Sequence, residues 1–298
     1  MKLRTIFLLI LCFTSCSKPT ADESAVRMLA ERIVPEYSSG LVFRQLEDSV
    51  DVFELYSEDG KVVICGNNAN SMAVGLNHYL KNHCGVTVSW YADEPVEYPS
   101  VMPSVDVPVR VEARVKERFF LNYCTFGYTM PWWKWEDWER LIDWMALNGV
   151  TMPLATTGQE AVWQKVWRSH GLADEEIRSY FTGPAHLAWH RMSNIDGFDG
   201  PLPQGWIDAQ VELQKKILER ERSLNMKPVL PAFSGHVPPQ IKEIYPSAQI
   251  TKVKGWGGFP EENLCHFLSP TDSLFSRIQR EFMVEQERMF GTDHIYGV

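Results

Sequence analysis

From Arg118 onward the chain alternates short apolar runs with amphipathic stretches, and that rhythm constrains the fold more than any other feature. The run RFFLNYCT reads as a strand. The next segment, WEDWERLIDWMALNG, places Trp135, Trp138, Leu141, Ile142 and Met145 on one helical face and stops at Asn148-Gly149. VTMPLAT then reads as a second strand, completing a βαβ unit. Pro153 inside it argues against a central position, because proline donates no ladder hydrogen bond. TGQE, Thr157 to Glu160, has capping-box spacing, with Glu160 as the N3 cap of a helix reaching Gly171. A helical excursion follows, DEEIRSYFTGPAHLAWHRM, in which Pro184 opens a second helix. Then come a third strand KPVLPAF, a short helix, a candidate strand QITKV, a long helix from Thr271 to Phe290, and the run HIYGV. Repeated βα units imply a parallel sheet, doubly wound or closed into a (β/α) barrel. No glycine fingerprint for a dinucleotide follows these strands, which argues against a Rossmann cofactor site.

The stretch before Arg118 has a different pattern. Apolar residues at helical spacing from Ala21 end at Pro35. LVFRQL, DVFELYSEDGKVVICGN and VTVSW read as short strands, with an Asp59-Gly60 hairpin signal in the middle run and a helix from Ser71 to His83 before the last. This is a small α+β domain. The Pro-rich PVEYPSVMPSVDVP reads as an extended linker. The expected division is a leader over residues 1–16, the small domain and linker over 17–110, and the barrel portion over 111–298.

With 45% hydrophobic and 12% aromatic residues among 298, the chain can bury a sizeable core. Its formal net charge of -9, without a basic cluster interleaved with aromatics, argues against nucleic acid as a partner. The amino terminus carries two basic residues, an apolar run from Ile6 to Phe13 and small residues before Cys16. That run is too short to span a membrane and matches a signal-peptide core. FTSC resembles a bacterial lipoprotein box, so the expectation is export to the cell envelope or periplasm, with lipidation at Cys16 as the only membrane contact. The alternative is a plain cleaved secretory signal. Cys65, Cys84, Cys124 and Cys265 have no partner at metal-binding spacing and read as buried thiols rather than a metal centre.

In a parallel barrel, chemistry gathers at the carboxyl ends of the strands. If RFFLNYCT is a strand, Asn122 and Cys124 point to one side of it, with Tyr128, Trp132 and Trp133 following. Ser234 and His236 lie in the loop SGHVP, and Trp256 lies between glycines in KGWGGF. Each has a plainer role available: Asn122 as a cap, Cys124 as a small hydrophobe, His236 as a pin for its own loop. Nothing around Ser234 resembles a nucleophile elbow. Among carboxylates, Glu139 and Asp143 sit beside tryptophans on a helix and Asp196 and Asp199 lie in a Gly-rich loop. None of these ends a strand.

The segments NYCTFGYTMPWWKWEDWERLIDWMALNGV, LATTGQEAVWQKVW, FTGPAHLAWHRM, DGPLP, PVLPAFSGHVP and FGTDHIYG together resemble the α-N-acetylglucosaminidase family of glycoside hydrolases, in order and spacing, from about Arg118 onward. The small preceding domain is also similar to that family's amino-terminal domain. The resemblance implies retaining exo-hydrolysis of terminal α-linked N-acetylglucosamine from a glycan partner, with no metal or organic cofactor. It implies an α/β fold in which a small α+β domain precedes the first half of a (β/α)8 TIM-type barrel. Retention uses two carboxylates about 5–5.5 Å apart. By position in the motifs, Asn122, Cys124, Trp189 and Trp256 correspond to residues lining the family's sugar pocket: a hydrogen bond from Asn122, shape from Cys124, apolar walls from the tryptophans.

The same resemblance implies that both catalytic glutamates follow a strand similar to HIYG, beyond Val298. The four or five candidate strands are about half of a closed barrel. The expectation is therefore a chain that does not hydrolyse glycosides by itself. The alternatives are a carbohydrate-binding module without turnover, or an unrelated α/β enzyme using Ser234 or His236.

Overall fold

The computed structural model describes residues 18–92 and 96–298, so the leader and Cys16 lie outside the described residues. Helix α1, Ala21–Ile33, starts at Thr20, whose hydroxyl accepts from the Glu23 amide at 3.1 Å while the Glu23 carboxylate accepts from the Thr20 amide at 2.8 Å. Strands β1 (Leu41–Gln45), β2 (Val52–Glu58) and β3 (Lys61–Gly66) follow. The β2–β3 turn has positive φ at both Asp59 and Gly60, the backbone a two-residue hairpin needs. Helix α2, Ala69–Asn82, is capped by Asn68, which accepts from the Ser71 amide.

The fourth strand of this sheet is β4, Val109–Glu112, antiparallel to β2, in the order β1-β3-β2-β4. The alternating valines at the end of the Pro-rich stretch therefore close a sheet, and that sheet extends past Val111, where the sequence suggests a boundary. VTVSW forms no strand. Its first residue closes the end of α2, with the Val86 amide donating to Leu80 O at 2.8 Å, and Trp90 packs edge-on against Trp133.

The second region opens with β5, Phe119–Phe120, much shorter than RFFLNYCT suggested, because Leu121 at φ 78° turns the chain into a 3-10 helix over Tyr123–Gly127. Helix α3 (Trp135–Leu147), β6 (Met152–Pro153), α4 (Gln159–Ser169), α5 (Asp174–Tyr180), α6 (Leu187–Arg191), α7 (Gln204–Ser223) and β7 (Leu230–Pro231) succeed one another. Then come β8 (His236–Val237), α8 (Ile241–Ile244), β9 (Ile250–Lys252), β10 (His266–Leu268), α9 (Ser273–Phe290) and β11 (Tyr296–Gly297). β5 pairs with β6 in parallel, Leu154 bridges Val229 in parallel, and β7 pairs with β11 in parallel. Four parallel strands thus lie side by side in chain order, as in a TIM barrel. QITKV is β9, but it joins an antiparallel side sheet, β8-β10-β9, outside the parallel row.

Pro153 is central, contrary to the expectation. Met152 and Leu154 donate to Arg118 O and Phe120 O, and on the other side the Pro153 carbonyl accepts from Val229 and the Ala155 amide donates to Val229 O. The missing donor costs one bond on the Val229 side, while the proline carbonyl still serves that neighbour. One core runs from α1, β1, β3 and α2 through Trp138, Leu141 and Ile142 of α3 to Leu154 and Val229. A second lies under α4, α5 and α9, around Trp167, Phe181 and Phe282. The small sheet is therefore joined to the strand row through a continuous apolar seam. Asn70 and Asn77 bond Val150 O and Leu147 O across it, at 2.9 and 2.7 Å.

Candidate active site

A cavity of about 370 Å³ opens where the parallel strands end. Pro231 and Ala232 bring β7 to it, Gly297 brings β11, and Tyr123 brings the turn after β5. Trp163 forms an apolar wall, held by stacking on Phe282 at 4.1 Å and on Trp167 at 5.2 Å. This is the position where a barrel fold concentrates its chemistry.

Two clusters of titratable groups reach the cavity, whose polar lining also includes Gln159 and Ser234. Glu160 and Arg191, both nearly fully buried, form a bidentate pair at 2.7 and 2.9 Å, and Arg191 also reaches Thr156 Oγ1 at 3.3 Å. Glu160 is thus no N3 cap: Gly158, with φ 73°, holds the N-cap position of α4 without a side-chain bond, and the carboxylate faces α6 instead. The sequence shows an acid and a base in tryptophan-bearing helices. Their 31-residue separation hid the pairing.

The second group centres on Asp196, in the loop after α6. Its Oδ1 accepts from His236 Nε2 at 2.7 Å and lies 3.1 Å from His190 Nδ1 and 3.4 Å from Cys265 Sγ. Burial works to raise the Asp196 carboxyl, but the two histidines outweigh it and hold it below the usual carboxylate range. Burial pushes His236 down, a loss only partly offset by Asp196, and pushes the Cys265 thiol and the Tyr180 phenol well up. The ring of Tyr180 packs 4.8 Å from His190 and 5.2 Å from His236. His190, Asp196 and His236 offer three donor atoms within 4.8 Å of one another, a grouping that residue spacing does not reveal. They could close on a cation only by giving up these hydrogen bonds.

None of the four residues expected to touch sugar belongs to the wall of this cavity. Asn122 and Cys124 do not share a strand face: Asn122 caps the 3-10 helix by accepting from the Thr125 amide at 3.2 Å. Cys124 Sγ lies 3.9 Å from the sulfur of Met192, which does line the cavity. Trp189 packs over Gly127, where a Cβ would meet its ring at 2.8 Å, and lies edge-on to Tyr128. Trp256 is 40% exposed and stacks on Phe259. The two tryptophans are connected by an unbroken series of rings, Trp189 to His186, Phe198, Phe259 and Trp256, at 6.2, 4.8, 4.9 and 6.0 Å.

Ser234 and His236 both reach the cavity, but His236 Nε2 bonds Asp196, and among the described residues no hydrogen bond joins it to Ser234. Glu139 and Asp143 belong to the seam, paired with Arg220 and Arg32. All four expected thiols are free, with Cys65 and Cys265 buried and Cys84 and Cys124 partly so.

Comparison with known proteins now bears on this geometry. The model of the α-N-acetylglucosaminidase (NAGLU) TIM-barrel domain matches residues 118–298, and that of its N-terminal domain matches 24–104. An α-N-acetylglucosaminidase of Homo sapiens is 43% identical over 284 residues, covering 93% of this chain. A family 89 glycoside hydrolase from Clostridium perfringens, solved with 2-acetamido-1,2-dideoxynojirmycin, superposes with a TM-score of 0.88 at 35% identity over 93% of this chain. A substituted form of the clostridial enzyme, solved with its substrate GlcNAc-α-1,4-galactose, superposes at 0.87. The chain spans 38% of the length of the human relative and 32% of the clostridial one.

The class is that of barrel glycoside hydrolases with a small α+β domain ahead of the barrel. Within that class, the chain belongs to the α-N-acetylglucosaminidase family.

Proposed function

We propose that this chain holds a terminal α-linked N-acetylglucosamine at the cavity above β5, β6, β7 and β11, as part of the retaining exo-hydrolysis of a glycan. The observation that carries this reading is the close superposition, over 93% of the chain, on a clostridial enzyme solved with GlcNAc-α-1,4-galactose. In this reading Asn122 offers a hydrogen bond, Cys124 sets shape through Met192, and Trp189 and Trp256 supply apolar faces.

Retention needs one carboxyl as acid/base and one as nucleophile. Glu160, which lines the cavity, is committed to Arg191, and Asp196, behind the cavity-lining histidines, is committed to them. That commitment argues against either as a reacting carboxyl, and in this reading the reacting carboxylates are other residues of the whole protein. Purified chain should therefore bind N-acetylglucosamine, measured by ligand-observed NMR, without releasing it from an α-linked aryl glycoside. Steady release by the chain alone would overturn the division of labour, and absence of binding would overturn the sugar reading.

Export with lipidation at Cys16 belongs to the same proposal and rests on the leader sequence. Among the described residues no helix is long and apolar enough to cross a membrane. Incorporation of labelled fatty acid in the producing cell, lost in Cys16→Ser, is the expected result, and labelling that persists in the variant would refute it.

A further inference from the structure

Asp196 has no role in the reading above, yet it is 6% exposed and gathers two histidines that face the cavity. Its Oδ1 accepts the proton on His236 Nε2 at 2.7 Å, which leaves the neutral imidazole with an unprotonated Nδ1. Among the described residues no group bonds that Nδ1, and it is not among the buried atoms left without a partner, so it meets the open volume. His190 is oriented in the same way. Its Nδ1 lies 3.1 Å from both Ile195 O and Asp196 Oδ1, acceptors that both call for a proton on that atom, and its Nε2 is left as an acceptor. Stacking of His236 on Phe267 and the packing of both rings against Tyr180 fix their planes.

We propose that Asp196 is a positioning residue that locks the ring tautomers of His236 and His190, and that their unprotonated ring nitrogens accept hydrogen bonds from hydroxyls of the bound sugar. The inference rests on the sugar-binding reading and adds a specificity element to it. Imidazole acceptors prefer a ligand rich in hydroxyl donors, and a ligand presenting only acceptors at that spot would leave both nitrogens unpaired. Burial favours the neutral form of His236, which agrees with an acceptor role near neutral pH. The titratable groups around it are Asp196, His190, Tyr180, Cys265 and His266, and Asp196 is the one that bonds it.

The test is long-range proton–nitrogen NMR of the histidine rings of the chain, with titrations of N-acetylglucosamine and its monodeoxy analogues. His236 is expected as the neutral Nε2–H tautomer, with its Nδ1 signal shifting on sugar binding. At least one deoxy analogue is expected to bind about tenfold more weakly than the parent sugar, the loss of one hydrogen bond. In Asp196→Asn the amide can donate to Nε2, turning Nδ1 into a donor, and the parent sugar and that analogue should then bind equally. His236→Leu should abolish the discrimination, and His236→Gln, whose amide keeps an acceptor, should restore part of it.

An Nδ1–H tautomer or a charged ring at His236 in the wild-type chain overturns the inference, and that measurement stands even if Asp196→Asn does not fold. Undiminished discrimination in a folded Asp196→Asn overturns it while leaving the sugar-binding reading intact. No binding of any sugar by the wild-type chain overturns both.

Discussion

Two arginine–carboxylate pairs, alike in chemistry, sit in different parts of the molecule. At the seam, Arg32 of α1 grips Asp143 of α3 through two bonds of 2.6 and 2.7 Å, with Arg220 of α7 a further 3.6 Å away. At the cavity, Arg191 of α6 grips Glu160 of α4 in the same bidentate way. The seam pair ties three helices together, with the Asp143 side chain buried and the Arg32 side chain 27% exposed. The cavity pair is more deeply placed, its side chains 1% and 5% exposed, and open volume lies beside it. A pair shared among three helices serves packing, whereas one lining a cavity keeps charge available to a ligand.

The largest expected effect comes from breaking the cavity pair. Glu160→Ala strands Arg191, whose side chain is 5% exposed, and should cost about 3–5 kcal/mol, the usual result of removing one partner from a buried pair. Asp143→Ala should cost less, about 1–3 kcal/mol, because Glu139 remains 2.8 Å from Arg220 and 3.7 Å from Arg32, both partly exposed. Urea unfolding of the two variants measures both. Equal losses would remove the distinction drawn between the pairs.

A smaller effect sharpens the seam side of the comparison through pH. Glu221, on α7 near Arg222 and Asp293, is fully buried with both carboxyl oxygens unpartnered among the described residues. Burial raises its carboxyl well above the ordinary value, outweighing Arg222. Below the unfolded-state value, about pH 4.3, both states hold the proton and no penalty exists. As pH rises, the unfolded chain releases its proton first, so stability falls by about 1.4 kcal/mol per pH unit until the folded group also ionises. Glu221→Gln should flatten that limb of the stability–pH curve. An unchanged limb would mean that other groups carry it.

The same contrast explains what the sequence disclosed. The seam region was legible because its signals are local: helical spacing in α1 and α3 and the Asp59-Gly60 turn are each decided within a few residues. The row of parallel strands was legible from the alternation of elements. Strand lengths were not, since Leu121 turns the chain with positive φ at a residue type that gives no warning of it. Nor was the central placement of Pro153, which depends on which carbonyl each neighbour needs. The cavity was the least legible part. Glu160 and Arg191 are 31 positions apart, and Asp196 and His236 are 40 apart, so only the folded chain brings them together. The four expected sugar contacts came from motif resemblance, and the strand geometry first offered for Asn122 and Cys124 does not exist in the fold.

The smallest expected change in stability tests the cavity side. Trp256 keeps 40% of its surface exposed and, among the described residues, stacks on Phe259 alone, at the outer end of the series that begins at Trp189. Its removal opens no enclosed hole, so Trp256→Ala should shift unfolding free energy by no more than about 0.5 kcal/mol, as surface substitutions do. On the sugar reading proposed above, affinity for N-acetylglucosamine should nevertheless fall several-fold, because a flat indole face would be lost. Calorimetric melting together with ligand titration separates the two readouts. A loss of stability approaching that of Asp143→Ala, with sugar affinity unchanged, would show that Trp256 packs the loop and belongs with the seam residues.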